Sequence, residues 1–276
     1  EQMDINLEIN TTQVRQVLED FIRQQVAKAG FSRAVIGLSG GIDSALACTL
    51  AAGALGASNV LAVRMPYATS SPDSLSDAQK VIDQTGVQAL TIPITPMADP
   101  LIARDAHMSP VRRGNIMARM RMVVLFDQSA AFGGLVVGTG NKTEALLGYT
   151  TLYGDSACAF NPIGDLYKTR VRQLARAMNL PESIQSKAPS ADLWLGQTDE
   201  GELGYTYAEV DRLLYALVDL HLSPAQCVRA GFAGKFVSAV IERVRRNRFK
   251  SLLPPVARLD PHSEGVDYTF LEVWGD

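Results

Sequence analysis

The order of apolar and polar positions divides the chain into two parts. Before residue 140, short apolar runs alternate with longer segments in which apolar residues recur at helical spacing. The short runs predict strands at residues 34–38, 60–63, 89–94 and 135–137. After Lys168, only the helical spacing is found.

Helix start and stop residues support the longer segments, as Ser71-Pro72 and Gly86 do around one of them. The predicted helices cover residues 12–28, 42–55, 72–85, 111–132, 169–178, 207–220, 224–230 and 236–248. Strands that alternate with helices pair in parallel through right-handed crossovers. We therefore expect an α/β fold: a doubly wound, mostly parallel sheet of about five strands, with helices on both faces and a helical C-terminal portion.

This architecture predicts where the chemistry lies, because ligands of doubly wound sheets bind beyond the carboxyl ends of the strands. We expect one domain over residues 1–276, with an extended, proline-rich tail from about residue 253. Two polar loops, residues 67–71 and 190–205, are candidate mobile lids.

Composition narrows the functional classes. The chain is 47% hydrophobic and its net charge is −3, so no overall basic field attracts nucleic acid or an anionic membrane. No apolar stretch is long enough to span a bilayer, and the N-terminus does not resemble a secretory signal. The three cysteines, Cys48, Cys158 and Cys227, are far apart, which indicates a reduced, cytoplasmic protein without a zinc site.

A glycine-rich loop follows the first predicted strand and opens the next helix. Glycines let the backbone approach an anion closely, and the amides at a helix start point into the same concavity. The loop therefore predicts a pyrophosphate site, although it is neither a Walker A motif nor a dinucleotide fingerprint. Its residues, all expected to bind ATP, are Gly37, Leu38, Ser39, Gly40, Gly41, Ile42, Asp43 and Ser44.

The same loop also matches Gly-x-Ser-x-Gly, the nucleophile elbow of α/β hydrolases, at Gly37, Ser39 and Gly41. A hydrolase needs sheet before residue 34 and a recruited histidine, His221 or His262, for which no motif exists. The loop could also be an ordinary glycine-rich turn. The hydrolase interpretation leaves Asp43 and Ser44 unexplained.

The sequence Ser-Gly-Gly-x-Asp-Ser at this turn resembles the signature of the ATP pyrophosphatases. Further motifs make the chain look like NAD synthetase over about residues 10 to 256. These motifs are Gly-Asn-Ile-Met-Ala-Arg at 114–119, Gly-Thr-Gly-Asn-Lys-Thr-Glu at 138–144, Gly-Tyr-Thr-Thr-Leu-Tyr-Gly-Asp at 148–155, Lys-Ala-Pro-Ser-Ala-Asp-Leu at 187–193, and Asp199-Glu200.

The resemblance implies a ligase that uses Mg²⁺ and converts nicotinic acid adenine dinucleotide, ATP and ammonia into NAD, AMP and pyrophosphate. The substrate carboxylate would first become an acyl adenylate, which ammonia then attacks. The family is dimeric, so the resemblance also implies a homodimer.

Individual roles carry over by position. Asp43 and Glu144 would hold Mg²⁺, and with Lys168 on the phosphates they would form the catalytic group. Carboxylate oxygens suit this hard ion. Each residue could instead have an ordinary role: Asp43 and Glu144 as helix-start acids, and Lys168 as part of a solvated helix start.

The remaining roles concern substrate contacts. Thr139 and Ser190 would contact ATP, and Ser190 stands where the family more often has threonine. Arg119 and Lys250 would contact the dinucleotide, whereas the other basic residues between 243 and 248 are expected on an exposed helix face.

Two positions depart from typical ammonia-using forms, which have a lysine and an aspartate where this chain has Leu152 and Ala159. Residues 149–155 look more like the glutamine-using relatives, yet 276 residues leave no room for a fused glutaminase domain. Free ammonia or a separate glutaminase subunit then supplies the nitrogen. Two competing functions stay open: a different ATP pyrophosphatase-type ligase, such as a tRNA-modifying enzyme, and a non-catalytic nucleotide binder.

Overall fold

A computed structural model of the chain describes residues 5–188, 201, 204–255 and 257. A parallel sheet of four strands lies at the centre of this described part, in the order β3-β2-β1-β4. The strands are β1 (Ala34–Gly37), β2 (Val60–Arg64), β3 (Gln88–Thr91) and β4 (Leu135–Val137). The order reverses at β1, whose two neighbours are β2 and β4. In a doubly wound sheet, ligands bind at such a switch point.

The helices account for most of the remaining described residues. They are α1 (Thr11–Lys28), α2 (Ile42–Leu55), α3 (Pro72–Thr85), α4 (Thr95–Ile102), α5 (Pro110–Phe132), α6 (Lys142–Leu147), α7 (Lys168–Ala177), α8 (Glu182–Ser186), α9 (Tyr207–Leu214), α10 (Pro224–Arg229) and α11 (Gly234–Asn247). After α9 the chain continues as a π-helical turn, Tyr215–Asp219, and after α11 as a 3-10 turn, Arg248–Ser251.

Alternate strand residues pack on opposite faces of the sheet, which confirms the predicted doubly wound α/β class. Ala34 and Ile36 contact the core under α1, α2 and α7, whereas Val35 contacts the core under α4 and α5. A third core joins the C-terminal helices to Ile5 and Leu7 from the start of the described chain.

The number of strands was predicted as about five. The described residues contain four, and an isolated parallel bridge between Val137 and Phe160 lies beside β4 where a fifth strand would pair. The strand predicted at 89–94 ends at Thr91, although the amides of Ile92 and Ile94 still bond to the carbonyls of Arg64, the last residue of β2, and Pro66. Helix α4 begins at Thr95. It was not predicted from the sequence, because its prolines are residues that usually interrupt helices.

The predicted C-terminal tail and one of the two predicted lids lie largely outside the described residues. Residues 253–255 and 257 form neither helix nor strand, and the rest of the predicted tail lies outside the described residues. Most of the predicted lid at 190–205 lies outside them too, while Tyr67 and Ser70 of the other lid form a hydrogen-bonded turn. None of the described helices is both long and apolar enough for a bilayer crossing.

Candidate active site

A cleft of about 590 Å³ opens beyond the carboxyl ends of β1 and β4. One wall is the glycine-rich loop, a second includes Thr139 and Glu144 after β4, and a third includes Lys250 and other basic residues near the C-terminus. The cleft therefore lies at the switch point of the sheet, where the strand order predicts a ligand.

The loop is held in shape by its own hydroxyl groups. The Oγ atoms of Ser39 and Ser44 are 2.9 Å apart, and the Ser44 hydroxyl also donates to the Gly41 carbonyl at 3.1 Å. Gly41 is the N-cap of α2 and has no side-chain cap bond, so amides at this helix start face the cleft without a capping side chain. The loop residues that line the cleft are Gly37, Leu38, Ser39, Gly41, Ile42, Asp43 and Ser44.

Gly40 must be glycine for two reasons. Its φ is +83°, and a Cβ atom there would lie 2.1 Å from the carbonyl oxygen of Ser74 in α3. The backbone of the loop therefore packs directly on α3. Any side chain at this position would push the loop away from the helix.

The nucleophile-elbow interpretation finds no support at Ser39. Its hydroxyl contacts the Ser44 hydroxyl and accepts from the Gly41 amide at 3.2 Å. Among the described residues that line the cleft there is no histidine to act as a base.

Asp43, Glu144 and Lys168 lie together inside the cleft. The Lys168 Nζ donates to Asp43 and lies 3.5 Å from Glu144 Oε1. Lys168 is 2% exposed, so it is not part of a solvated helix start. The carboxylates are 17% and 19% exposed, which leaves part of each facing the cleft.

Asn141 connects the two carboxylates and was given no role from the sequence. Its side chain is fully buried, and its Nδ2 donates to Asp43 Oδ1 at 3.0 Å. It also caps α6, because its Oδ1 accepts from the Glu144 amide and the Glu144 side chain accepts from the Asn141 amide. The spacing of Asn141 and Glu144 is that of a capping box, a signal that could have identified α6.

A buried aspartate supports the site from behind and was also missed. Asp211 on α9 accepts from the Thr143 hydroxyl at 2.6 Å and from the Thr169 amide at 2.8 Å, and Thr143 accepts from the Lys168 amide. Burial raises the pKa of Asp211 above its usual value. These bonds fix the start of α7, which carries Lys168, to α6, which carries Glu144.

The basic face of α11 also belongs to the cleft. Arg243, Arg246, Asn247 and Lys250 all line it, whereas the sequence patterns had assigned only Lys250 to a site. Arg243 lies three and four residues before Arg246 and Asn247, which places these three side chains on one side of α11, and Lys250 follows in the 3-10 turn. Lys250 donates to the Gly148 and Thr150 carbonyls at 2.7 and 2.9 Å. Burial lowers the pKa of Lys250; the charge of Asp155 opposes this effect, and that of Arg243 adds to it.

Similarity to known proteins decides the family of this site. The sequence model described as NAD synthase matches residues 14–254. The chain belongs to the NAD synthetase family. The resemblance seen in the sequence motifs is therefore confirmed, and so is the predicted class of enzyme, a ligase that uses ATP and forms a C–N bond.

Relatives of similar length carry the same family name. The NH(3)-dependent NAD(+) synthetase of Trichlorobacter lovleyi is 52% identical over 98% of both chains, and that of Fusobacterium nucleatum is 46% identical over 92% of this chain and 98% of its own. With nearly all of both chains matched to the first relative, the similarity extends over every wall of the cleft.

Solved structures of the family share the fold. The NH3-dependent NAD synthetase of Campylobacter jejuni superposes with a TM-score of 0.78 at 34% identity, over 91% of this chain and all of that one. The NMN synthetase of Francisella tularensis gives 0.81 at 30% identity, over 91% and 99%. A glutamine-dependent NAD+ synthetase from Acinetobacter baumannii gives 0.64 at 32% identity, and the chain spans 47% of it.

Not every residue for which the family resemblance implies a substrate contact lines the cleft. Arg119 is exposed on α5, and its Nε and Nη2 donate to the Leu152 carbonyl at 3.2 and 3.1 Å. Arg119, Leu152 and Ala159 are not among the described residues that line the cleft, and the contact of Arg119 with the dinucleotide stays a prediction. Thr139 lines the cleft, and Ser190 lies outside the described residues.

Proposed function

We propose that this protein converts nicotinic acid adenine dinucleotide into NAD, with ATP cleaved to AMP and pyrophosphate and with ammonia as the nitrogen donor. The observation that carries the proposal is the convergence of Asp43, Glu144 and a buried Lys168 beside an anion-binding loop at the switch point of the sheet.

The proposed chemistry follows from the poor reactivity of a carboxylate, which has no good leaving group. In the first step a carboxylate oxygen of the pyridine acid attacks the α-phosphorus of ATP, and the bond to the β-phosphate breaks. Pyrophosphate leaves and an acyl adenylate forms. Ammonia then adds to the acyl carbon, AMP departs with the original carboxylate oxygen, and the added nitrogen loses a proton.

In this scheme the chain's own groups stabilise the negative charge of the departing pyrophosphate. The amides at the start of α2 and the hydroxyls of Ser39 and Ser44 face that anion. Lys168 supplies a fixed positive charge, because its ammonium group is held between two carboxylates in a nearly dry position. A preoriented cation costs no reorganisation during the reaction.

The carboxylates of Asp43 and Glu144 fit the Mg²⁺ implied by the family. They converge on one ammonium group and keep part of their surface open to the cleft, and hard oxygen ligands are those this ion prefers. When bound with ATP, Mg²⁺ would neutralise charge that develops on the phosphates. ATP phosphates and waters would complete its ligands, since the ion usually retains several non-protein oxygens.

We assign the acceptor substrate to the wall formed by α11 and the 3-10 turn that follows it. Arg243, Arg246 and Lys250 place three cationic side chains along one side of the cleft, and guanidinium groups suit phosphate and carboxylate anions. Thr139 and Ser190 remain assigned to ATP. Arg119 remains assigned to the dinucleotide, from a position on α5 near the proposed subunit boundary.

We also propose a cytoplasmic homodimer that takes up free ammonia. The cysteines are free thiols, in keeping with a reducing compartment. Exposed apolar residues of α5, Val123 and Phe126, would lie in the dimer interface.

The test is a reaction with purified protein, ATP, Mg²⁺ and ammonium, in which products are identified by mass spectrometry. Parallel reactions contain the deamidated dinucleotide, the deamidated mononucleotide or neither, because one similar structure is an NMN synthetase. We expect NAD, AMP and pyrophosphate in equal amounts with the dinucleotide only. Amidation of the mononucleotide instead would reassign the substrate, and ADP as the nucleotide product would exclude the proposed route.

A further inference from the structure

Asn141 uses both halves of its amide, and each half contacts one of the two proposed metal ligands. The oxygen accepts from the backbone of Glu144 at 3.0 Å, and the nitrogen donates to Asp43 Oδ1 at 3.0 Å. Asn141 is fully buried, so solvent does not compete for either bond. One side chain thus links the loop after β1 to the start of α6.

Helix capping alone does not require this residue. Serine and aspartate cap helices as well as asparagine does, because capping uses only an acceptor oxygen. Aspartate lacks the donor that reaches Asp43, and the hydroxyl of serine is on a shorter side chain. The Nδ2 group of Asn141 therefore serves the bond to Asp43 and is not needed for the helix cap.

The two oxygens of Asp43 have different partners. Oδ2 accepts from Lys168 Nζ, and Oδ1 accepts from Asn141 Nδ2. A carboxylate bonded at only one oxygen can rotate about its Cβ–Cγ bond, whereas bonds at both oxygens fix its plane. Asn141 therefore sets the direction in which the remaining lone pairs of Asp43 point.

We propose that Asn141 is a positioning residue that orients Asp43 and Glu144 together for a divalent cation bound with ATP. The inference rests on the proposed function, which places the metal on these carboxylates. Groups that orient metal ligands through hydrogen bonds change metal affinity about 10- to 100-fold when they are removed.

The test compares Asn141→Ser with Asn141→Ala in the full chain. Serine keeps a capping oxygen and loses the link to Asp43, whereas alanine loses both. Binding of Mn²⁺ is measured by electron paramagnetic resonance in the presence of α,β-methylene ATP, which cannot be cleaved between its α and β phosphates. Binding of the nucleotide without metal and the melting temperature are measured on the same samples.

We expect Mn²⁺ to bind about tenfold more weakly to Asn141→Ser, with metal-free nucleotide affinity changed less than about twofold. Asn141→Ala should bind Mn²⁺ at least as weakly as Asn141→Ser and should melt at a lower temperature, because only alanine removes the cap that also holds the start of α6 beside Glu144. Ser223→Ala is the matched control: it removes the capping serine of α10, away from the cleft, and should lower the melting temperature without changing Mn²⁺ binding.

Wild-type Mn²⁺ affinity in Asn141→Ser would overturn the inference and assign the residue to capping alone. Asp43→Asn separates this result from a failure of the proposed function. If Asp43→Asn weakens Mn²⁺ binding and Asn141→Ser does not, only the inference fails. If Asp43→Asn leaves Mn²⁺ affinity unchanged, the metal assignment fails and the inference with it.

Discussion

The ammonium group of Lys168 lies between two carboxylates and over the ring of Tyr207, with 5.3 Å from Nζ to the ring centroid. Lys142 has a similar environment outside the cleft. It pairs with Asp165 and Asp219 and lies over the ring of Tyr167. The two lysines therefore allow a matched comparison of one proposed catalytic charge with one structural charge.

Lys168→Met should lower kcat about 100-fold, the size of effect seen when one preoriented charge-stabilising donor is removed. Methionine keeps the apolar stem, so the fold should survive. Lys142→Met should leave kcat within about twofold, because partly exposed ion pairs contribute little. Rates of AMP formation check both. Equal rates in the two variants would remove Lys168 from the proposed chemistry.

Gly40 and Gly56 have the same φ of +83° but different surroundings. A Cβ at Gly40 meets the Ser74 carbonyl, whereas at Gly56 it meets nothing within 4 Å. Gly56→Ala should therefore cost only the backbone strain, roughly 1–3 kcal/mol, because a φ of +83° with a ψ of +144° is a conformation that side chains disfavour. Gly40→Ala should in addition displace the loop and weaken ATP binding at least about tenfold.

Calorimetric titration with α,β-methylene ATP and urea unfolding separate these two effects. If Gly40→Ala bound the nucleotide as tightly as Gly56→Ala does, the loop could not be the proposed pyrophosphate cradle.

At the scale of elements, a buried carboxylate connects α3 to α8. Asp77 accepts from the Ser183 hydroxyl at 2.7 Å and from Lys80 at 2.9 Å, and Lys187 lies 3.7 Å away. Burial by itself raises the pKa of Asp77, but these hydrogen bonds and the nearby lysines lower it below its ordinary value of 3.8. A depressed carboxylate pKa stabilises the fold above the unfolded-state value, and the contribution is lost as pH falls.

Asp77→Asn should therefore lower the free energy of unfolding by about 1–2 kcal/mol at neutral pH. The difference from the wild type should be constant from about pH 5 to pH 8 and should shrink as pH falls below 3.8, the unfolded-state value, towards the lower pKa of Asp77 in the folded protein. Urea unfolding at several pH values measures it. A difference that persisted unchanged at pH 3 would show that the charge of Asp77 is not its source.

The sequence predicted elements best where a long periodic pattern existed. The helices at α1, α2, α3 and α5 were predicted within about two residues, the usual uncertainty of helix ends. Short elements were missed, because α6 has six residues and α4 contains Pro100. Pattern methods need several turns to detect a period.

Site residues in a continuous motif could be predicted from the sequence, whereas those whose partners are distant in the chain could not. The loop from Gly37 to Ser44 is a continuous motif and could be read directly. Asn141 and Asp211 could not be assigned roles, since their partners are far away in the chain: Asp43 is 98 residues from Asn141, and Thr143 is 68 residues from Asp211. Arg243 and Arg246 were treated as a solvated face because a charge run does not reveal which side of α11 meets the cleft.

At the scale of the whole molecule, the proposed dimer is testable from exposed apolar residues. Val123 and Phe126 on α5 are 53% and 42% exposed, while Val17 on α1 is 58% exposed but lies elsewhere. The wild type should sediment as a dimer of the 29.8 kDa chain. Val123→Asp combined with Phe126→Asp should yield monomers, because burying two unpaired charges opposes association. Val17→Asp should stay dimeric, and a wild-type monomer would exclude the interface.

The central claim is that the pyridine carboxylate attacks the α-phosphorus of ATP at the loop after β1. The most direct test uses the deamidated dinucleotide with its carboxylate labelled with ¹⁸O, in a reaction with ATP, Mg²⁺ and ammonium. The account predicts one ¹⁸O atom in each AMP and none in pyrophosphate, because the carboxylate oxygen leaves with AMP. Label in inorganic phosphate or pyrophosphate, or AMP without label, would contradict it.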